Sequence, residues 1–410
     1  MDDHFTSTEL AQLREHGIVI FAGRVIFDAH PPITPSELAA VEAACIGPVP
    51  PALLALWSET CGGALDYDLT VRMNGGEEPV HFAELFGHGP EGLHDLPGWI
   101  AREREAGGNA NAQGKLAALP FGGFEDTDRL YAVTEPGAQF GHVLAWKQAM
   151  PQAWPQAMDE DGVATVAASL EGAFAALHLA EDPLEPAGDY FTGQALLDYL
   201  DERHGDFALD LDLADKVVAF YRRALVDWRK PLTQGTLSEA PALAAQIAQR
   251  HAIATDDPAL INELAAAGVR FDAPLHGRAL PTDLALAHGA FEAAAALVEG
   301  DAPLSPGALD NIEGPISPEL TQELLARGAA PTARAMAQCV AAGAPDAARL
   351  IAKAYQTQHG DLPQAFDAAR GALVEQLQVA LAEVSSAGLG QDEDAARLAE
   401  RIEHLQAFEL

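Results

Sequence analysis

The stretch Leu280-Pro281-Thr282-Asp283-Leu284-Ala285, followed by Ala287-His288-Gly289, Phe291-Glu292 and Ala294-Ala295-Ala296-Leu297-Val298-Glu299-Gly300, reads as two short helices joined by a turn. Pro281 suits a first helical position, Gly289 turns the chain, and Gly300 is placed to cap the second helix. The second helix has counterparts on either side, Leu260 to Gly268 and Leu320 to Gly328. The three terminal glycines stand 32 and 28 residues apart, close to the ~33-residue period of one class of helical repeat. A further unit runs from Pro331-Thr332-Ala333 through Ala342-Gly343 to Leu350-Ile351. Residues 240–361 are therefore predicted to form an all-α helical repeat domain. Residues 362–410 add two helices about the hinge Ser385-Ser386-Ala387-Gly388, which would cap its open end.

Residues 1–180 have a different texture, mixed α and β. Thr34-Pro35-Ser36-Glu37 opens a helix, with Thr34 or Ser36 as its cap and Leu38, Val41, Ala44 and Cys45 at helical spacing. A second helix follows Pro50-Pro51, carries Leu53, Leu54, Leu56 and Trp57, and ends at Cys61-Gly62-Gly63. Three short runs rich in aromatic and β-branched residues are expected strands: Val80 to Ala83, Leu130 to Val133 and His142 to Trp146. Val163 to Leu179 is expected to be a helix. Residues 181–239 form an acidic helical junction, with Gln194 to Glu202 and Leu213 to Trp228 as its helices.

Two resemblances follow from these residues. Thr34-Pro35, Pro50-Pro51, Trp57 with Gly62-Gly63, Leu119-Pro120-Phe121-Gly122, Asp126-Thr127-Asp128-Arg129-Leu130-Tyr131, Gly141-His142-Val143 and Trp146 stand in an order that resembles the SMI1/KNR4, or SUKH, superfamily over about residues 30–178. Thr127-Asp128 replaces the Gly-Asp usual there, and the insert from His88 to Gly114 is long. Leu280 to Ala285 is similar to the Thr-Pro-Leu-His-Leu-Ala of ankyrin repeats. The fold class implied is an α+β SUKH-like domain followed by an all-α ankyrin-like helical repeat domain. Bacterial SUKH proteins are commonly immunity proteins, so the resemblance implies a protein that binds and neutralises a cognate toxin. A non-catalytic cytoplasmic scaffold or regulator built from the same two modules is the alternative.

Charge bears on the same choice. The 410 residues carry 61 acidic and 24 basic side chains, a net charge of −37, with 49% hydrophobic residues. Nucleic-acid affinity depends on Lys and Arg displacing counterions, so neither nucleic acid nor an anionic membrane is an expected partner. A basic protein is, such as a nuclease-type toxin, because complementary charge accelerates encounter. The candidate partner-binding residues are the acids Asp198, Asp201, Glu202, Asp206, Asp210, Asp212 and Asp215, with Asp126 and Asp128 second. Oligomeric state is left open.

Catalytic chemistry has no motif behind it. His81, His88 and His94, with Glu84 and Glu91 nearby, are seven and six residues apart and match no helical metal-ligand spacing. The glycine pairs lack the Lys-Ser/Thr of a phosphate-binding loop, and no Gly-x-Ser-x-Gly elbow occurs. No cofactor, no metal and no enzyme activity are expected. Cys45, Cys61 and Cys339 lie in no CxxC pair, which fits a reducing compartment. With acids at the amino terminus and no apolar run of ~18 residues, the expected location is cytoplasmic.

Overall fold

The computed structural model describes residues 4–73, 76–88, 95–125, 127–147, 162–186, 191–202, 209–275, 279–359, 361–387 and 392–409. The chain divides into two compact units, Met1–Val226 and Asp227–Leu410. The first is mixed α/β and the second is all-α.

The first unit opens with α1 (Ser7–Glu15) and a hairpin, β1 (Val19–Phe21) and β2 (Arg24–Ile26). Next come α2 (Pro35–Ala44) and α3 (Pro51–Glu59), then β3 (Gly63–Ala64), the hairpin β4 (Thr70–Met73) and β5 (Gly76–Pro79), and β6 (Glu84–Leu85). Helix α4 (Leu96–Ala106) precedes β7 (Ala118–Phe124), β8 (Asp128–Val133), β9 (Val143–Lys147) and β10 (Gly162–Ala167), and α5 (Leu170–Ala176), α6 (Gln194–Glu202) and α7 (Leu211–Tyr221) follow. The main sheet has the order β10-β9-β8-β7-β6-β3, antiparallel throughout, and a bridge between Phe27 and Ala64 joins it to the β1–β2 hairpin.

Local chemistry explains the elements. Thr34 caps α2 in a full capping box with Glu37. Helix α3 ends at an extended Thr60, and the following Gly62 is required by space: a Cβ there would lie 2.4 Å from the His30 ring. Phe82, Phe121 and Phe174 meet edge to face, with centroids 5.8 and 6.1 Å apart, in a core completed by Leu53, Leu56 and Trp57. A smaller cluster, Ala118, Tyr131 and Val133 with Leu144 and Trp146, packs apart from that core.

Two expectations change. Val163 to Leu179 is not one helix: Val163, Thr165 and Val166 enter β10, and Ser169 then caps α5 by accepting from Gly172 N–H. β-branched residues favour the pleated strand over a helix. Val80 to Ala83 is not a strand either; it links β5 to β6, with Val80 N–H bonded to Leu69 and Ala83 N–H to Gly123. The acidic stretch after residue 180 is shared between the units. Leu196, Leu200, Val217, Phe220 and Tyr221 belong to the first unit's core, whereas Trp228, Leu232 and Leu237 are buried residues of the second.

The second unit begins with α8 (Arg229–Thr233) and a 3-10 turn, Leu237–Glu239. Its helices are α9 (Ala242–Ala254), α10 (Pro258–Ala266), α11 (Pro281–Ala287), α12 (Phe291–Glu299), α13 (Pro318–Ala326), α14 (Ala333–Ala341), α15 (Pro345–Gln358), α16 (Leu362–Ala387) and α17 (Asp392–Ala407). They stack in two rows. One runs α9, α11, a 3-10 turn at Ala308–Asn311, α14 and α16; the other runs α10, α12, α13 and α15. Left-handed residues end the helices at a regular interval, Asp256 and Gly289 in the first row and Gly268 and Asp301 in the second, each pair 33 residues apart. The cap after α12 is therefore Asp301 (φ +59°), not Gly300 (φ −78°). Ala302 N–H bonds Leu297 O at 2.9 Å and Asp301 N–H bonds Val298 O at 3.1 Å, a Schellman closure set one residue beyond the glycine. Helices α16 and α17 pack on each other and on α14, with Leu405 wholly buried.

Candidate functional site

The acidic candidates on the first unit separate into three settings. Asp198, Asp201 and Glu202 are exposed on α6, whose other face buries Leu196 and Leu200. Asp210, Asp212 and Asp215 are exposed at the start of α7, around Leu211, whose side chain is 62% exposed. Two of these acids also serve the helix: Asp210 caps it by accepting from Asp212 N–H at 3.0 Å, and Asp212 complements the dipole in the first turn. Helices α6 and α7 share the core of the first unit. Asp206 and Asp126 lie outside the described residues.

Asp128 occupies the third setting, inside the protein. Its side chain is 2% exposed; Oδ2 accepts from His81 N–H at 3.1 Å and lies 3.3 Å from His81 Nδ1. A carboxylate so enclosed is not displayed to a partner. Next to it, Arg129 lies between the rings of Trp99 and Trp146, 4.7 and 4.0 Å from their centroids, with Glu103 at 3.5 Å. Cation–π contact and the ion pair together hold this guanidinium on the sheet.

Sequence reasoning missed the residues that hold α6 in place. Asp66 Oδ2 accepts from Ala195 N–H at 2.9 Å, capping α6 from a remote loop. Asp68 accepts from Ala180 N–H and Thr192 O–H, both at 2.8 Å. Tyr221 donates its hydroxyl to Asp66 O, and its ring packs on Tyr67 at 4.7 Å. Burial raises the Asp66 carboxyl above the usual range, opposed by N–H groups at the α6 terminus. The only signal was Asp66-Tyr67-Asp68 itself, two acids about an aromatic; their partners lie more than a hundred residues away.

Other chemistry is sparse. Among the described residues no group of three or more His, Cys, Asp or Glu is arranged to hold a metal. His81 contacts Asp128, and His88 lies 3.9 Å from Glu37; His94 and Glu91 fall outside the described residues. Burial pushes the Cys45 and Cys61 thiols up to about 11 and Cys339 to about 12, the opposite of a nucleophile's requirement. No helix among the described residues is long and apolar enough to cross a membrane. No protein family, curated protein or solved structure matches this chain.

Proposed function

We propose that the chain is a bacterial immunity protein that binds a cognate toxin and occludes its basic, nuclease-type active site. In this reading the first unit is a SUKH-type module and the second an ankyrin-like array. The observation that supports it is the placement of charge. The first unit holds 36 acidic side chains against 12 basic, the second 25 against 12, so the first carries −24 of the −37. Three of those acids are exposed on α6 and three more at the start of α7, the latter around the exposed Leu211. A distributed field of this sign attracts a cationic cleft, and an apolar centre supplies retention that rim charges do not.

The test uses the product of the adjacent gene. Replacing Asp198, Asp201, Glu202 and Asp215 together by Lys should slow association by roughly 10- to 100-fold at low salt and flatten its salt dependence. Unchanged association places the surface elsewhere. Survival of cells expressing that gene product without this chain defeats the immunity reading.

A further inference from the structure

Among the described residues the hydrogen-bonded array of the first unit ends at β1, whose outer edge pairs with no further strand. On β2, Val25 N–H is bonded to Tyr67 Oη at 2.9 Å, and Phe27 exchanges N–H···O bonds of 3.1 and 2.7 Å with Ala64. Residues 25 and 27 thus face β3, which leaves Arg24 and Ile26 to bond β1 opposite Phe21 and Val19. The alternation makes Ile20 and Val25 the non-hydrogen-bonded pair, so the Ile20 N–H and C=O point away from β2. Neither has a partner among the described residues.

These two groups open onto a groove of about 710 Å³. Leu10 and Arg14 of α1, Ala55 and Glu59 of α3, and Ile20 and Phe21 of β1 line it. An ion pair between Arg14 and Glu59, both about half exposed, joins the two helices. Volumes of ~300–1,000 Å³ are those that admit a ligand. Natural edge strands are guarded by shortness, Lys, Pro or a bulge; Val19-Ile20-Phe21 has its shortness but none of the others. Glu15 stands on α1 and Glu59 on α3, while Glu9 is held by Lys216 at 2.7 Å; the unit as a whole has three acids for every base.

We propose that this groove takes an extended, cationic segment of a partner protein, which adds to β1 as a further strand. The segment's backbone bonds Ile20 through both N–H and C=O, alternate apolar side chains fill the groove, and a Lys or Arg takes Glu59 from Arg14. Strand addition of this kind draws affinity from main-chain bonds and selectivity from alternate side chains. The partner's identity as a toxin rests on the function proposed above; the strand site does not.

The probe is a ten-residue peptide of alternating valine and lysine, added to the full-length chain and followed at the Ile20 amide by NMR. We expect a Kd below ~1 mM and slower solvent exchange at that amide. The same peptide N-methylated at alternate residues, and a valine–glutamate peptide, should bind at least about tenfold more weakly. Ala55→Trp, at an exposed position, should block binding with the fold retained, and Arg14→Ala should tighten it by freeing Glu59. An Ile20 amide unmoved by millimolar valine–lysine peptide, or equal binding of the N-methylated form, overturns the proposal. The two readings fail separately. A toxin complex indifferent to Ala55→Trp removes this groove from the toxin interface and leaves the immunity function standing; peptide addition at Ile20 with no toxin complex does the reverse.

Discussion

Asp66→Ala should loosen α6 without disturbing the rest of the molecule. The carboxylate accepts from Ala195 N–H, and the N–H groups of Gly193 and Leu196 also stabilise its charge. Removing an N-terminal cap costs about 1–2 kcal/mol. Since 1.4 kcal/mol is a factor of ten, amides in Gln194–Glu202 should exchange with solvent about 5- to 30-fold faster in the full chain, by mass spectrometry. Asp66→Asn keeps an acceptor oxygen and removes the desolvated charge, so it should cost less than about 0.5 kcal/mol at pH 7. Its pH dependence has a definite sign. The Asp66 carboxyl is raised in the folded state, so folding favours the protonated form. The native protein is penalised as pH rises from the ordinary 3.8 toward the raised value, and Asp66→Asn should gain relative to it across that interval. If Asn costs as much as Ala, or the difference runs the other way with pH, Asp66 does not act as a half-buried charged cap.

Three further outcomes are expected. The Glu9 carboxyl, held at about 2 by Lys216 and Thr6, should return toward the ordinary range in Lys216→Met by NMR titration; in the native protein its contribution is lost only as pH falls below 4.5 toward 2. Gly62→Ala should destabilise by about 2 kcal/mol or more by chemical denaturation, because its Cβ meets the His30 ring, whereas Gly23→Ala, also at positive φ but with open space, should cost about 1 kcal/mol. Asp301→Gly should leave the second unit within about 0.5 kcal/mol of native stability, because relief of the left-handed backbone is offset by loss of the exposed Arg327 ion pair and by the freer unfolded chain, while Gly268→Ala should cost about 1 kcal/mol.

What could be read from the residues was whatever local chemistry decides. Thr34-Pro35-Ser36-Glu37 announces a helix start, though not which of Thr34 and Ser36 caps it, and the Ala/Leu helices with terminal glycines announce a stack, because caps and turns act within a few residues. Even there the spacing of glycines misled by one position, since Asp301 takes the left-handed role beside Gly300. β10 was misread because Val163 to Leu177 offers apolar spacing compatible with a helix, and only pairing with β9 decides between the two. The site was less legible. An acid's sequence neighbours do not say whether it faces outward: Asp128 sits under His81, Asp210 caps a helix, and Asp198 is exposed. Asp66 and the Ile20 edge depend on partners present or absent far along the chain.

The contact between the first and last helices of the first unit sets a schedule. His4 Nε2 lies 3.4 Å from Lys216 O, 212 residues along the chain, and Phe5 packs on Phe220 at 5.3 Å. At synthesis rates of about 5–20 residues per second, α1 waits about 10–40 s for the helix that covers it. During that interval the ring of Phe5 is uncovered on the nascent chain, so the growing polypeptide passes through a stage in which holdase chaperones have a defined target.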